Sequence, residues 1–165
     1  MNFKSINTLI FDVDGVLTDG GLHAHSNGEQ TRVFNIKDGY AMEKAVKAGY
    51  NIAIISGIDE KGVRVRLERL GVKDIFLGIK DKLALFNDYR KEKKADLNHI
   101  LYMGDDIPDY KIMQLVGLPA CPADAVDDIK EICKYISPFD GGRGAARDVI
   151  ERVMSAQNKW LKDEW

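Results

Sequence analysis

The sequence predicts an α/β fold: a Rossmann-like, doubly wound, mainly parallel sheet with a projecting β-hairpin flap. Three observations predict it. Short β-branched runs end in Gly, Asp or Ser, each run is followed by a stretch of helical length, and glycines stand where those helices should stop. The runs at residues 8–13, 51–56 and 100–104 read as buried strands. Shorter strands are expected near 75–77, 118–120 and 135–136. Residues 38–49 place Tyr40, Met42, Ala45, Val46 and Ala48 at helical spacing and end at Gly49. A second helix is expected over about 60–70, ending at Gly71, a third over about 80–93, and a fourth over about 106–116, ending at Gly117. Strands alternating with helices imply right-handed crossovers and a sheet covered on both faces.

One segment breaks this rhythm. From Val16 to Phe34, turn residues at Asp19-Gly20-Gly21 and Ser26-Asn27-Gly28 bracket short alternating stretches, which predicts a hairpin over 16–35 projecting from the sheet edge. The whole of 1–165 is expected to form one domain, with a C-terminal segment over 139–165. The composition, 45% hydrophobic and 30% charged, is that of a globular chain. A formal net charge of -2 removes the driving force for non-specific nucleic-acid binding. No apolar run reaches the roughly 18 to 20 residues that span a bilayer, and no signal peptide is read. Cys121 and Cys133, eleven residues apart, match neither a metal pair nor a disulfide framework, so reduced thiols in a cytoplasm are expected.

In parallel sheets, ligands sit at the carboxyl ends of the strands. Here those ends carry Asp12-Val13-Asp14-Gly15, Ser56-Gly57 and Gly104-Asp105-Asp106. The fold therefore gathers Asp12, Asp14, Asp105, Asp106 and Asp109 at one edge, with Lys82 as the nearby cation. Carboxylates so close repel one another, and a divalent cation resolves the conflict. Oxygen-only ligands favour a hard ion that binds one or two carboxylates together with a substrate phosphate, which is Mg²⁺. Ser56, the backbone around Gly57 and Lys82 then form a phosphate site. Asp12 is placed for in-line attack to give an aspartyl-phosphate, and Asp14 can protonate the leaving alkoxide and activate water.

Asp12-Val13-Asp14-Gly15-Val16, Ser56-Gly57, Lys82 and Gly104-Asp105-Asp106-Ile107-Pro108-Asp109, in that order over nearly the whole chain, resemble the four motifs of the haloacid dehalogenase superfamily of phosphatases. The resemblance implies Asp12 as nucleophile, Asp14 as acid/base with its carbonyl on Mg²⁺, Ser56 and Lys82 on phosphate, and Asp105 as metal ligand. It also implies Asp106 and Asp109 as supports of the metal and its waters. The spacings between motifs leave no room for a cap domain. Together with Leu17-Thr18-Asp19-Gly20, Phe34-Asn35-Ile36-Lys37-Asp38-Gly39-Tyr40 and Gly141-Gly142-Arg143-Gly144-Ala145-Ala146-Arg147-Asp148, they make the chain similar to the capless 3-deoxy-D-manno-octulosonate 8-phosphate phosphatase family. That family implies a sugar-acid phosphate substrate, a homotetramer with sites completed by a neighbour's flap and C-terminal segment, Arg143 as a substrate contact in trans, and lipopolysaccharide precursor synthesis.

Family members commonly carry an arginine directly after the Ser/Thr-Gly pair. Here Gly57 is followed by Ile58-Asp59-Glu60-Lys61, which keeps a related group acting on nine-carbon keto-acid 9-phosphates as an alternative. Lys61, Arg64 or Arg69 could supply the missing cation. A non-enzymatic phospho-acceptor signalling domain also combines an acidic Mg²⁺ site with Ser/Thr and Lys, but its motif order differs, and a retired scaffold is a further alternative. A calcium loop from Asp12 fails, because Val16 and Leu17 fall at ligand positions and His23 stands where Glu is needed. His23 and His25 lack a third ligand and read as surface or interface residues. Trp160 and Trp165 read as subunit contacts or exposed side chains.

Overall fold

The computed structural model describes residues 2–160; Trp165 lies outside the described residues. The main sheet comprises β1 (Thr8–Phe11), β4 (Asn51–Ile55), β5 (Asp74–Phe76), β6 (Ile100–Met103), β7 (Leu118–Cys121) and β8 (Tyr135–Ile136). Its order is β5-β4-β1-β6-β7-β8, and every pairing is parallel. The remaining strands, β2 (His23–Ala24) and β3 (Gln30–Thr31), pair antiparallel as the expected hairpin, with all four residues exposed. The helices are α1 (Ile36–Lys47), α2 (Lys61–Arg69), α3 (Lys82–Lys93), α4 (Tyr110–Met113), α5 (Asp127–Ile132) and α6 (Ala145–Ala156).

The period-2 alternation of the strands sorts the core into two layers. Leu9 and Phe11 of β1 face α1, α2 and α6, where Met42, Leu67 and Ile150 are buried. Ile10 faces the other way, toward Phe86 of α3, Ile112 of α4 and Ile129 of α5. Both layers are apolar because a parallel sheet has no solvent face.

Local chemistry sets the helix ends. The Asn35 side chain accepts from the Lys37 N–H to start α1, and Asp81 accepts from the Ala84 N–H to start α3. The helices α1 and α2 stop just before Gly49 and Gly71, as expected. The fourth predicted helix, 106–116, is much shorter. Asp106 accepts from the Ile107 N–H, a 3-10 turn covers Ile107–Asp109 with Pro108 inside it, and regular helix occupies only Tyr110–Met113. Two helices, α5 and α6, were not expected. In α6 the signal was present: Ala145, Ala146, Val149, Ile150, Val153 and Met154 form one buried stripe at helical spacing. Much of the C-terminal segment is therefore core that packs over α1.

Register positions the functional edge. Phe11 lies opposite both Ile54 and Met103, so β1, β4 and β6 finish nearly level. The residues that follow, Asp12, Ser56 and Gly104-Asp105, emerge side by side. The chain leaves β1 toward β4 and β5, then crosses back to β6 on the other side, which puts the switch point of the sheet at Asp12.

Candidate active site

After β1 the chain turns tightly: the Val13 carbonyl accepts from the N–H groups of Val16, Leu17 and Thr18 at 3.2, 2.9 and 3.0 Å. Gly15 sits in this turn at φ +75°, and a Cβ there would lie 1.9 Å from Asp105 Oδ2. Only glycine permits both the left-handed backbone and the approach of the β6 carboxylate to the β1 turn. From the other end of the chain, Gly142 N–H donates to the Val16 carbonyl at 2.9 Å, and a Cβ on Gly141 would lie 1.9 Å from the Gly15 carbonyl oxygen. The turn that carries Asp12 and Asp14 is thus buttressed by two segments remote in sequence.

Asp12 is 8% exposed. Its Oδ1 accepts from the Val13 N–H at 2.6 Å, and its Oδ2 lies 2.7 Å from Lys82 Nζ. The same ammonium is 2.8 Å from Asp109 Oδ1, which also accepts from the Tyr102 hydroxyl at 2.6 Å. Asp109 Oδ2 is buried with no hydrogen-bond partner among the described residues. Asp12, Asp105 and Asp109 each offer an oxygen within 4.8 Å of the others.

This cluster holds more negative than positive charge. Burial, reinforced by Asp12 and Asp109, pushes the Asp105 carboxyl up to about 7. Burial and Asp12 likewise push Asp109 up to about 7, against the opposing pull of Lys82. Burial alone would lower Lys82, but Asp12 and Asp109 more than offset it, so the ammonium is held charged. An orphaned buried carboxylate oxygen and three converging carboxylates are what a hard divalent cation satisfies, and the set fits Mg²⁺.

An unfolded Asp titrates near 3.9 (roughly), so between about 4 and about 7 the folded protein binds more protons at Asp105 and Asp109 than the unfolded chain does. Without a divalent cation, this pair makes stability fall as pH rises through that window. Asp38, raised by burial, acts in the same direction but away from the cluster. Mg²⁺ requires ionised carboxylates, so it should raise the melting temperature by several degrees at pH 8 and hardly at all at pH 5, in scans at matched ionic strength. Equal increments at both pH values would contradict this account.

The cleft in front of the cluster has a volume of about 660 Å³ and is lined by Asp12, Asp14, Ser56, Gly57, Ile58, Ile79, Lys80, Asp81, Lys82, Leu83, Ile107, Pro108 and Lys111. The structure therefore brings Asp12, Asp14, Ser56, Gly57 and Lys82 together, as expected. Ser56 is buried at the end of β4, with its hydroxyl 3.5 Å from the Ile58 N–H. Asp106 is exposed and caps the 3-10 turn through its 2.7 Å contact with Ile107 N–H.

Sequence reasoning missed Arg32. Carried back from the flap, its guanidinium grips Asp14 through both oxygens, at 2.6 and 3.0 Å, and reaches Glu60 at 2.7 Å. Its side chain is 7% exposed. Lys80 and Lys111 were missed as well. The structure does not bring Lys61 or Arg64 to the cleft: Lys61 is exposed at the start of α2, and Arg64 donates to the Ile75 carbonyl at 3.4 Å. Arg69 is exposed at the far end of the same helix. Arg143 pairs with Asp19 at 3.0 Å, outside the cleft of its own chain.

No protein-family model matches the chain. It is, however, 36% identical over 156 residues to the 3-deoxy-D-manno-octulosonate 8-phosphate phosphatase KdsC of Escherichia coli strain K12, covering 94% of this chain and 83% of that protein. The chain belongs to the octulosonate 8-phosphate phosphatase family, within the haloacid dehalogenase superfamily. An octulosonate 8-phosphate phosphatase of Yersinia pestis solved by crystallography superposes with a TM-score of 0.93 at 33% identity, over 96% of this chain and 86% of that one. The Moraxella catarrhalis phosphatase, solved with magnesium, phosphate and KDO, gives a TM-score of 0.93 at 33% identity, over 96% of this chain and 91% of that one. The doubly wound sheet and the hairpin inferred from sequence are both present in this chain.

Proposed function

We propose that this chain is a Mg²⁺-dependent phosphomonoesterase that hydrolyses 3-deoxy-D-manno-octulosonate 8-phosphate to the free sugar acid and phosphate. The observation that carries this reading is the Asp12 carboxylate, fixed at the switch point of the sheet between Lys82 and the Asp105/Asp109 pair, at the floor of a cleft large enough for a sugar phosphate. The relatives named above act on, or were solved with, the corresponding sugar acid.

In this reading Asp12 and Asp105, with the Asp14 backbone carbonyl, would hold Mg²⁺, and Asp106 and Asp109 would support it. The ion supplies charge neutralisation of the phosphoryl oxygens. Lys82, Ser56 and the backbone at Gly57 hold those oxygens and orient the phosphorus toward Asp12. An oxygen of Asp12 forms a bond to phosphorus as the bond to the sugar oxygen breaks, and Asp14 delivers a proton to that oxygen. Water then attacks the aspartyl-phosphate, Asp14 takes up its proton, phosphate leaves and Asp12 is regenerated. Both Asp14 oxygens accept from Arg32 in the structure, so the leaving group must replace one of those bonds.

The finer features follow the same reading. Exposed Leu22, Val33 and Phe139 around the flap and the C-terminal segment suit burial between subunits of a homotetramer. Arg143, two-thirds exposed, suits reaching a neighbour's substrate. Free thiols at Cys121 and Cys133 suit a cytoplasmic setting, and no described helix is long and apolar enough to cross a membrane.

The test is phosphate release with Mg²⁺ from 3-deoxy-octulosonate 8-phosphate, a nine-carbon keto-acid 9-phosphate, hexose phosphates and an aryl phosphate. The eight-carbon compound should show the highest kcat/KM. Because Ile58 lines the cleft where family members commonly place arginine, a nine-carbon preference is the specific alternative outcome. Absence of turnover would remove the enzymatic reading.

A further inference from the structure

The cleft leaves two of its cations uncommitted. Lys82 is spent on Asp12 and Asp109, and Arg32, at the cleft edge, is spent on Asp14 and Glu60. Arg64 is turned to the Ile75 carbonyl, and Arg143 to Asp19. Lys80 and Lys111 also line the cleft, and neither side chain makes an ion pair or hydrogen bond among the described residues. Asp81, the acidic neighbour of Lys80, is occupied in capping α3 through the Ala84 N–H at 3.0 Å.

The two lysines come from different elements that converge. Lys80 lies in the loop entering α3, two residues before the buried Lys82, and Lys111 lies in the first turn of α4. Both helices pack on the same face of the sheet. The same cleft is lined by the apolar side chains of Ile58, Ile79, Leu83, Ile107 and Pro108, and the loop after Gly57 adds no cation to it.

A keto-sugar-acid phosphate is anionic at both ends. Its phosphate is neutralised at the floor of the cleft, but its carboxylate would sit against apolar walls, where an unpaired charge is costly, unless a cation meets it. We propose that Lys80 and Lys111 form the subsite that binds the carboxylate of the substrate. This deepens the functional reading above and rests on it. The subsite sets specificity, because a sugar phosphate without a carboxylate gains nothing from it.

The test compares wild type with Lys80→Gln, Lys111→Gln, the double variant and the corresponding Arg variants, on 3-deoxy-octulosonate 8-phosphate and on a hexose 6-phosphate. KM for the sugar-acid phosphate should rise about tenfold in each Gln variant and about a hundredfold in the double, with kcat changing less than KM. The Arg variants should recover most of the loss. The fall in kcat/KM on the hexose phosphate should be smaller by about tenfold or more. Both lysines are exposed, so the variants should fold, and a melting curve checks this. Equal losses on both substrates, or an unchanged KM for the sugar acid in folded variants, would overturn the subsite. Failure of wild type itself to hydrolyse any keto-sugar-acid phosphate would instead overturn the functional reading on which it stands.

Discussion

Asp12→Asn is expected to lower kcat by about 10⁴-fold or more while leaving the protein folded. The substitution preserves shape, so the carboxamide oxygen can still accept from the Val13 N–H, and Lys82 keeps Asp109 as a partner. What disappears is the nucleophile. An amide oxygen does not form a phosphoryl ester that water can clear, so neither half of the proposed reaction remains. The measurement is phosphate release under saturating substrate, alongside circular dichroism and a melting curve. Residual activity within about a hundredfold of wild type would reassign the nucleophile, and Asp14 would then be the next carboxylate to test.

Lys82→Met carries the second large effect, on both stability and rate. Lys82 is 7% exposed and is the cation that touches both Asp12 and Asp109. Its removal leaves buried carboxylates facing one another, a situation that costs about 3–5 kcal/mol when one partner of a buried pair is deleted. The loss should be largest at pH 8 and should shrink toward pH 5, because Asp105 and Asp109, already pushed up to about 7, take up protons in the variant more readily still. Urea unfolding at the two pH values reads this directly. In turnover, loss of the ammonium proposed to hold the phosphoryl oxygens should lower kcat/KM by about 10²–10³-fold, and Mg²⁺ should compensate only part of it. A variant as stable as wild type at pH 8 would mean that the carboxylate cluster is already relieved by other means.

The elements most legible in the sequence are those whose signal is local. Runs such as Leu9-Ile10-Phe11 and Ile52-Ala53-Ile54 identify strands because both faces are buried, and Gly49 and Gly71 close the helices before them. Motif order was enough to predict that Asp12, Ser56 and Lys82 would meet, since strand ends on one edge of a parallel sheet share a surface. The helix expected over 106–116 is shortened because Pro108 and the Asp106 cap hold Ile107–Asp109 in a 3-10 turn. In α6 a buried stripe at helical spacing follows directly on glycines at 141, 142 and 144, whose loop signal masks it.

The amino-acid sequence by itself determined the doubly wound sheet, the acidic edge and the meeting of Asp12, Ser56, Gly57 and Lys82 at one cleft. Backbone pattern and side-chain burial along a few consecutive residues are sufficient to specify these. Only the tertiary structure decided which cation serves which anion. Arg32, Lys80, Lys111 and Arg64 are long, flexible side chains whose charge can reach several partners, and their choice depends on which elements the fold brings alongside. Thus Arg32 left the flap for Asp14 and Glu60, Arg64 turned to a backbone carbonyl, and Lys80 and Lys111 line the cleft with no ion pair among the described residues. The orphaned oxygen of Asp109 is likewise a property of packing, because a partner is absent only once the surroundings are in place.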